Sequence, residues 1–316
     1  MKVLMREQDL SDEYLRFARQ IGADGLDIHS SKNVPGFAEQ GYPDLEDLRA
    51  LKSRLSAANL GVYRVAPPHP GRYLRGQADG DEDVENLVKT LQAFGQVGIP
   101  MMSMPIHLAS PGHKGSYSHV HRGGYKMHAF SAGEMDVRPK GDTYADGVTA
   151  EDHWNRCVDL YGRLVPIAEN CNVKLITHPS DPPMPYASVS PRRWAGLVDA
   201  VPSDHNGLLY CIGTRYESGV NILDDIRNFG RKRKIFHTHF RNVRGTIPTA
   251  GGYEEVALHD GDMNMFRVLQ TLREVGFDGG LQIDHLPRFD ADDEHQKIAS
   301  AYGVAYVKAL LMALDA

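Results

Sequence analysis

Cysteine is scarce. The chain of 316 residues has three, Cys157, Cys171 and Cys211, too few for a disulfide framework. Positive charge is not in excess either. The formal net charge is −6, whereas a nucleic-acid partner usually demands a basic face. The one basic run, Arg231-Lys232-Arg233-Lys234, precedes an expected strand and reads as a solvated corner. No apolar run stands out as long enough to span a membrane, so no membrane partner is expected. The opening MKVLMREQDL has no basic n-region and no apolar h-region, and a cytoplasmic location is expected. No G-x-G-x-x-G follows the first expected strand, which leaves a dinucleotide fold without support. No Pro/Ser-rich linker divides the chain, so residues 1–316 are expected to form one domain. Hydrophobic residues at 41% and charged residues at 24% suit a globular chain.

What is abundant is histidine, with 15 residues, many near expected strand ends. Short apolar runs at 2–5, 25–28, 61–65, 101–106, 173–177, 207–211, 234–240 and 280–283 read as strands. Between and after them lie helical stretches, from Ser11 as N-cap to about 21, then 45–58, 84–97, 151–170, 191–200, 223–229, 263–275 and 294–314. Eight strands alternating with eight helices predict an α/β fold, a parallel (β/α)₈ barrel. An insertion at about 107–148 is unusually long for a compact domain. It holds His107, His113, His119, His121, His128, Tyr117, Tyr125 and Lys126. Two expectations stand side by side for it, a lid over the site and a polar solvated loop or subunit contact.

In such a barrel the active site lies at the C-terminal strand ends. Strand five ends KLITHPSDPP with His178 at its tip, and strand six ends LLYCIGT with Cys211. Strand seven, KIFHTHFRN, carries His237 and His239 two apart on one face. Strand eight, GLQIDH, ends in Asp284 and His285. Singly, each is more often structural than a ligand, and Cys157 and Cys171 are taken as structural. Together, four consecutive strands offer one rim two imidazoles, a thiolate and a carboxylate. That set suits one divalent transition metal: Mn²⁺ first, with Fe²⁺, Co²⁺ or Zn²⁺ as alternatives. Mg²⁺ and Ca²⁺ prefer oxygen shells. His237 is expected one layer deeper, as core or support.

The segments THPSDPP, YCIGT, HFRNVRG, YEEVALHDGDMNM and IDH resemble the mannonate dehydratase family of the xylose-isomerase-like barrels. The likeness covers about half of the chain, mainly 173–285. It implies His178, Cys211, His239 and Asp284 as metal ligands and His285 as an acid or base. It also implies a metal-dependent carbon–oxygen lyase (hydro-lyase) of carbohydrate metabolism. The expected reaction converts the sugar acid D-mannonate to 2-keto-3-deoxy-D-gluconate and water. Arg241 and Arg244, past strand seven, are expected as a guanidinium clamp on substrate, with Arg6 and His107 as further substrate contacts. The better-known members carry Pro-Gly-Tyr-Gly after the Asp-His pair. Here the chain reads LPRFDADDEHQKIASAYG, and Tyr302, the nearest tyrosine, is the candidate second catalytic group. A packed helix residue is an equal reading of Tyr302, and His295 a weaker candidate. A homo-oligomer, dimer or tetramer, is expected. The rival functions are a sugar isomerase or epimerase on the same barrel, a non-catalytic sugar-acid binding protein and, more distantly, a nuclease.

Overall fold

A computed structural model describes residues 1–108, 115–134, 147–184 and 187–316. His113 lies outside them. Eight parallel strands close into a barrel. In chain order they are β1 (Lys2–Arg6), β2 (Gly25–Ile28), β3 (Gly61–Val65), β4 (Met101–Ser103), β7 (Lys174–Thr177), β8 (Asn206–Cys211), β9 (Ile235–His239) and β12 (Gly280–Ile283). Each reads as a run of apolar residues because both faces are covered, the inner by the barrel core and the outer by helices. The helices start at residues built to cap them. The Ser11 side chain accepts from the Tyr14 amide at the head of α1 (Asp12–Gln20). Asp44 accepts from the Glu46 and Asp47 amides at α3 (Leu45–Ala57). Each side chain satisfies amides that the first turn leaves open.

Some boundaries differ from the expectation. β4 stops at Ser103, three residues early, and the Ile106 amide turns back to the Met104 carbonyl at 3.1 Å. The helix expected at 191–200 survives only as α7 (Gly196–Ala200), since Ser188 to Ala195 make turns. The last helix, α12 (Lys297–Asp315), is long and apolar enough by length and composition to cross a membrane, which corrects the reading of the sequence. In this fold it lies against the barrel, burying Ala299, Ser300, Gly303, Val304 and Val307.

The described part of the insertion is structured. β5 (Ser116–Val120) and β6 (Lys126–Ser131) form an antiparallel hairpin. Two unexpected strands after β9, β10 (Asn242–Arg244) and β11 (Gly252–Val256), complete a four-stranded sheet in the order β10-β11-β6-β5. The sheet sits at the C-terminal rim. Lys126 and Arg288 exchange backbone hydrogen bonds of 3.1 and 2.9 Å, so the segment after β12 docks on the hairpin.

Candidate metal centre and active site

Parallel register builds the centre. Cys211 on β8 pairs with His239 on β9, and His239 pairs with Gln282 on β12. His178 follows β7 directly, and Asp284 follows β12. Ligand atoms of His178, Cys211 and His239 all lie within 4.8 Å of one another. Asp284 Oδ2 stands 3.2 Å from His239 Nδ1.

The donors are poised for a cation. Burial pulls the His178 imidazole down to about 4 and His239 well below its ordinary range, so both rings are neutral and keep a lone pair. His178 donates from Nδ1 to the Pro179 carbonyl at 2.5 Å, which leaves Nε2 free. Nδ1 of buried His239 faces the Asp284 carboxylate, and its Nε2 lacks a hydrogen-bond partner, a costly state unless an ion fills it. Burial raises Asp284, but the cationic His285 and Arg241 and the hydrogen bond to His239 outweigh it and hold the carboxyl well below the usual range. Burial also raises the Cys211 thiol, opposed by the Arg241 guanidinium. Cys211 Sγ accepts from Arg241 Nε at 3.3 Å and Thr214 Oγ1 at 3.1 Å, contacts that favour a thiolate. This donor set fits a borderline divalent ion.

A polar layer inside the barrel lies beneath. Asp27 Oδ2 takes His237 Nε2 at 2.5 Å and Arg64 Nε at 3.3 Å, and Arg64 Nη2 reaches Gln282 Oε1 at 3.3 Å. His237 is therefore support, one layer below His239.

Beside the centre a cavity of about 540 Å³ opens at the rim. Its walls include Asp284, His285, Arg6, Arg288, His128 and Glu255. His285 turns off the strand and faces this space. Its Nδ1 bonds Glu255 Oε1 at 2.7 Å, and its Nε2 is 3.3 Å from Asp284 Oδ2. Burial alone would lower this imidazole, but Asp284 and Glu255 push it up to about 10.

Among the expected substrate contacts, the structure brings Arg6 to the cavity wall. The others are corrected. Arg241 is 1% exposed and spends all of its N–H donors on the protein. Nη1 donates to Glu217 and Glu255 at 2.5 and 2.9 Å, Nη2 to Asp181 and Thr214 at 2.6 Å each, and Nε to Cys211. It is a strut behind the centre, not a clamp. A Cβ on Gly213 would meet its side chain at 2.7 Å, so that glycine makes room for it. Arg244 is exposed and turns to the Asp260 carbonyl at 2.7 Å and Glu254 at 3.6 Å, away from the cavity walls. His107 is likewise a positioning residue. Its Nε2 donates to the His178 carbonyl at 2.8 Å, fixing the ligand's backbone. Tyr302 does not line the cavity. Its hydroxyl bonds His259 Nδ1 at 2.7 Å, and its ring packs with Tyr125, Met127 and Phe289, because α12 holds it behind the hairpin. His295 meets Tyr14 edge-on and is also off the cavity wall.

The reading of strand ends missed Glu255, Glu217, Asp181 and Thr214, which hold Arg241 and His285. Their signal lay inside the motifs. Asp181 belongs to HPSDPP, Thr214 to YCIGT and Glu255 to YEEVALHDGDMNM. Asn242 explains two more motif positions. Its side chain bonds the Leu258 carbonyl and both the amide and carbonyl of Met263, and a Cβ on Gly261 would strike it at 2.2 Å.

Known proteins share the sequence pattern and the fold. The family described as D-mannonate dehydratase (UxuA) matches residues 126–316, from the hairpin to the end. A mannonate dehydratase of Brachyspira hyodysenteriae is 24% identical over 277 residues, covering 76% of this chain and 77% of its own. Mannonate dehydratase 2 of Halalkalibacterium halodurans is 24% identical over 307 residues, covering 83% and 87%. The fold matches the crystal structure of mannonate dehydratase from Streptococcus suis with a TM-score of 0.82 at 22% identity, over 100% of this chain and 95% of that one. With more than half of its length matched by the family, the chain belongs to the D-mannonate dehydratase (UxuA) family.

Proposed function

We propose that this chain is a metal-dependent hydro-lyase that converts D-mannonate to 2-keto-3-deoxy-D-gluconate and water. The observation that carries the reading is the convergence of His178, Cys211 and His239 beside His285, which faces the cavity. Those three residues with Asp284 would hold the ion, Mn²⁺ first. Bound there, a divalent ion supplies Lewis acidity to a substrate carboxylate and its neighbouring hydroxyl.

The chain's own groups supply the rest. Loss of water from a sugar acid requires removal of the proton α to the carboxylate and protonation of the departing hydroxyl. His285 Nε2 is the proton-carrying atom, since Nδ1 is held by Glu255. Arg6 and Arg288 give the cavity the positive charge that a sugar acid needs. Ser116, Ser118 and Gln296 supply polar partners for hydroxyls. In place of the absent Pro-Gly-Tyr-Gly tyrosine, the hairpin presents Tyr117 and His128 to the same cavity. The second proton exchange belongs to this wall.

The deciding assay incubates the Mn²⁺-loaded chain with a panel of hexonates and measures the 2-keto-3-deoxy acid formed. Product from D-mannonate above all others is expected. Aldose–ketose exchange without dehydration would establish the isomerase reading instead. Tight binding with no turnover would establish the binding-protein reading.

A further inference from the structure

Outside the barrel centre, a second group of metal-competent side chains meets on the rim sheet. His119 and His121 lie two apart where β5 ends, and Glu254 lies on β11. Ligand atoms of the three lie within 4.8 Å of one another. His119 Nε2 is 3.4 Å from Glu254 Oε1. Two ligands about 2.1 Å from a tetrahedral ion sit about 3.4 Å apart, so this pair already has the spacing of co-ligands. The His119 and His121 rings meet edge to face with centroids 4.7 Å apart, and Tyr125 stacks on His121 at 4.9 Å.

Two details separate this group from a chance cluster. His121 Nε2 is shielded from solvent and has no hydrogen-bond partner, although a buried imidazole nitrogen normally finds one. Glu254 divides its oxygens, with Oε2 toward Arg244 at 3.6 Å and Oε1 toward His119. Arg244 thus orients the carboxylate, as groups behind a metal ligand do. The site is separate from the catalytic one. Glu254 and Glu255 are adjacent on a strand and point to opposite faces. Glu255 goes to His285, and none of His119, His121 or Glu254 lines the cavity.

We propose that His119, His121 and Glu254 form a second metal site that takes Zn²⁺ and clips the hairpin to β11. Two imidazoles and one carboxylate are a zinc set with a fourth position left for water. Alkaline-earth ions fit it poorly. Because His119 and His121 come from the inserted hairpin and Glu254 from β11, one ion ties together segments about 130 residues apart in sequence. The hairpin carries Ser116, Tyr117 and Ser118 into the cavity wall, so the clip holds that wall in place.

The test reads zinc directly. A Cys211→Ser/His239→Ala chain, with the barrel centre disabled, is dialysed against micromolar Zn²⁺ and its zinc content measured. About one zinc per chain is expected to remain, with a raised melting temperature. Adding His119→Ala and His121→Ala should remove both. No retained zinc, or zinc that survives those replacements, overturns the proposal. If the disabled chain does not fold, His121→Ala alone in the otherwise intact protein should lower zinc from about two ions per chain to about one. Unchanged zinc content in that variant overturns it equally.

Discussion

His285 Nδ1 lies 2.7 Å from Glu255 Oε1, and the same carboxylate oxygen accepts from Arg241 Nη1 at 2.9 Å. Glu255 thereby joins the group that faces the rim cavity to the strut behind the proposed metal ligands. A side chain on β11 of the rim sheet sets the direction of a side chain at the end of barrel strand β12. Nδ1 is committed to Glu255, and Nε2 lies at the cavity wall 3.3 Å from Asp284 Oδ2.

Replacing His285 with Asn should leave the fold and metal content intact, because the metal-holding side chains are untouched. Turnover should fall about 10²–10⁴-fold, the usual loss for one general acid or base. Kinetics and metal analysis on the same preparation check this. Near-parental activity, or inactivity explained by lost metal, would sink the role assigned to His285.

Arg241 should behave as a structural strut. Arg241→Ala leaves Glu217 buried and without its cationic partner. Removing one member of such a pair costs about 3–5 kcal/mol, measurable by urea unfolding. Arg241→Lys should recover only part of that, since an ammonium offers three donors and no planar fork. A variant of parental stability whose only defect is a raised KM would restore Arg241 as a substrate clamp.

Cys211 should give a spectroscopic signature. In the Co²⁺-substituted protein, a thiolate ligand produces a sulfur-to-cobalt charge-transfer band in the near ultraviolet. The parent should show it, and Cys211→Ser, loaded with Co²⁺, should not. The same band in both proteins would remove Cys211 from the ligand set.

Tyr302→Phe should be almost silent in turnover. The hydroxyl serves His259 behind the hairpin, and loss of one such hydrogen bond costs about 0.5–1.5 kcal/mol. A fall in kcat of the size expected for His285→Asn, at unchanged stability, would return Tyr302 to the chemistry.

The amino-acid sequence by itself determined the barrel and which side chains end its strands. Apolar runs of strand length alternate with capped helices, and that alternation admits a parallel closed sheet. A parallel strand delivers its last residue to one rim, so His178, Cys211, His239 and Asp284 could be placed together from order alone. Membership of the family was likewise written in local motifs. Tertiary structure decided what each neighbouring polar group does. Arg241, two residues past His239, looks like a free cation until Glu217, Glu255, Asp181 and Thr214 arrive from four other segments and take its donors. Tyr302 looks like a substitute for a missing tyrosine until α12 turns it toward His259. The strands β10 and β11 escaped notice because they are short and derive their stability from pairing with a hairpin more than 100 residues earlier. Local periodicity carries no record of such long-range pairing, because the free energy that fixes it is released only when the distant segments meet.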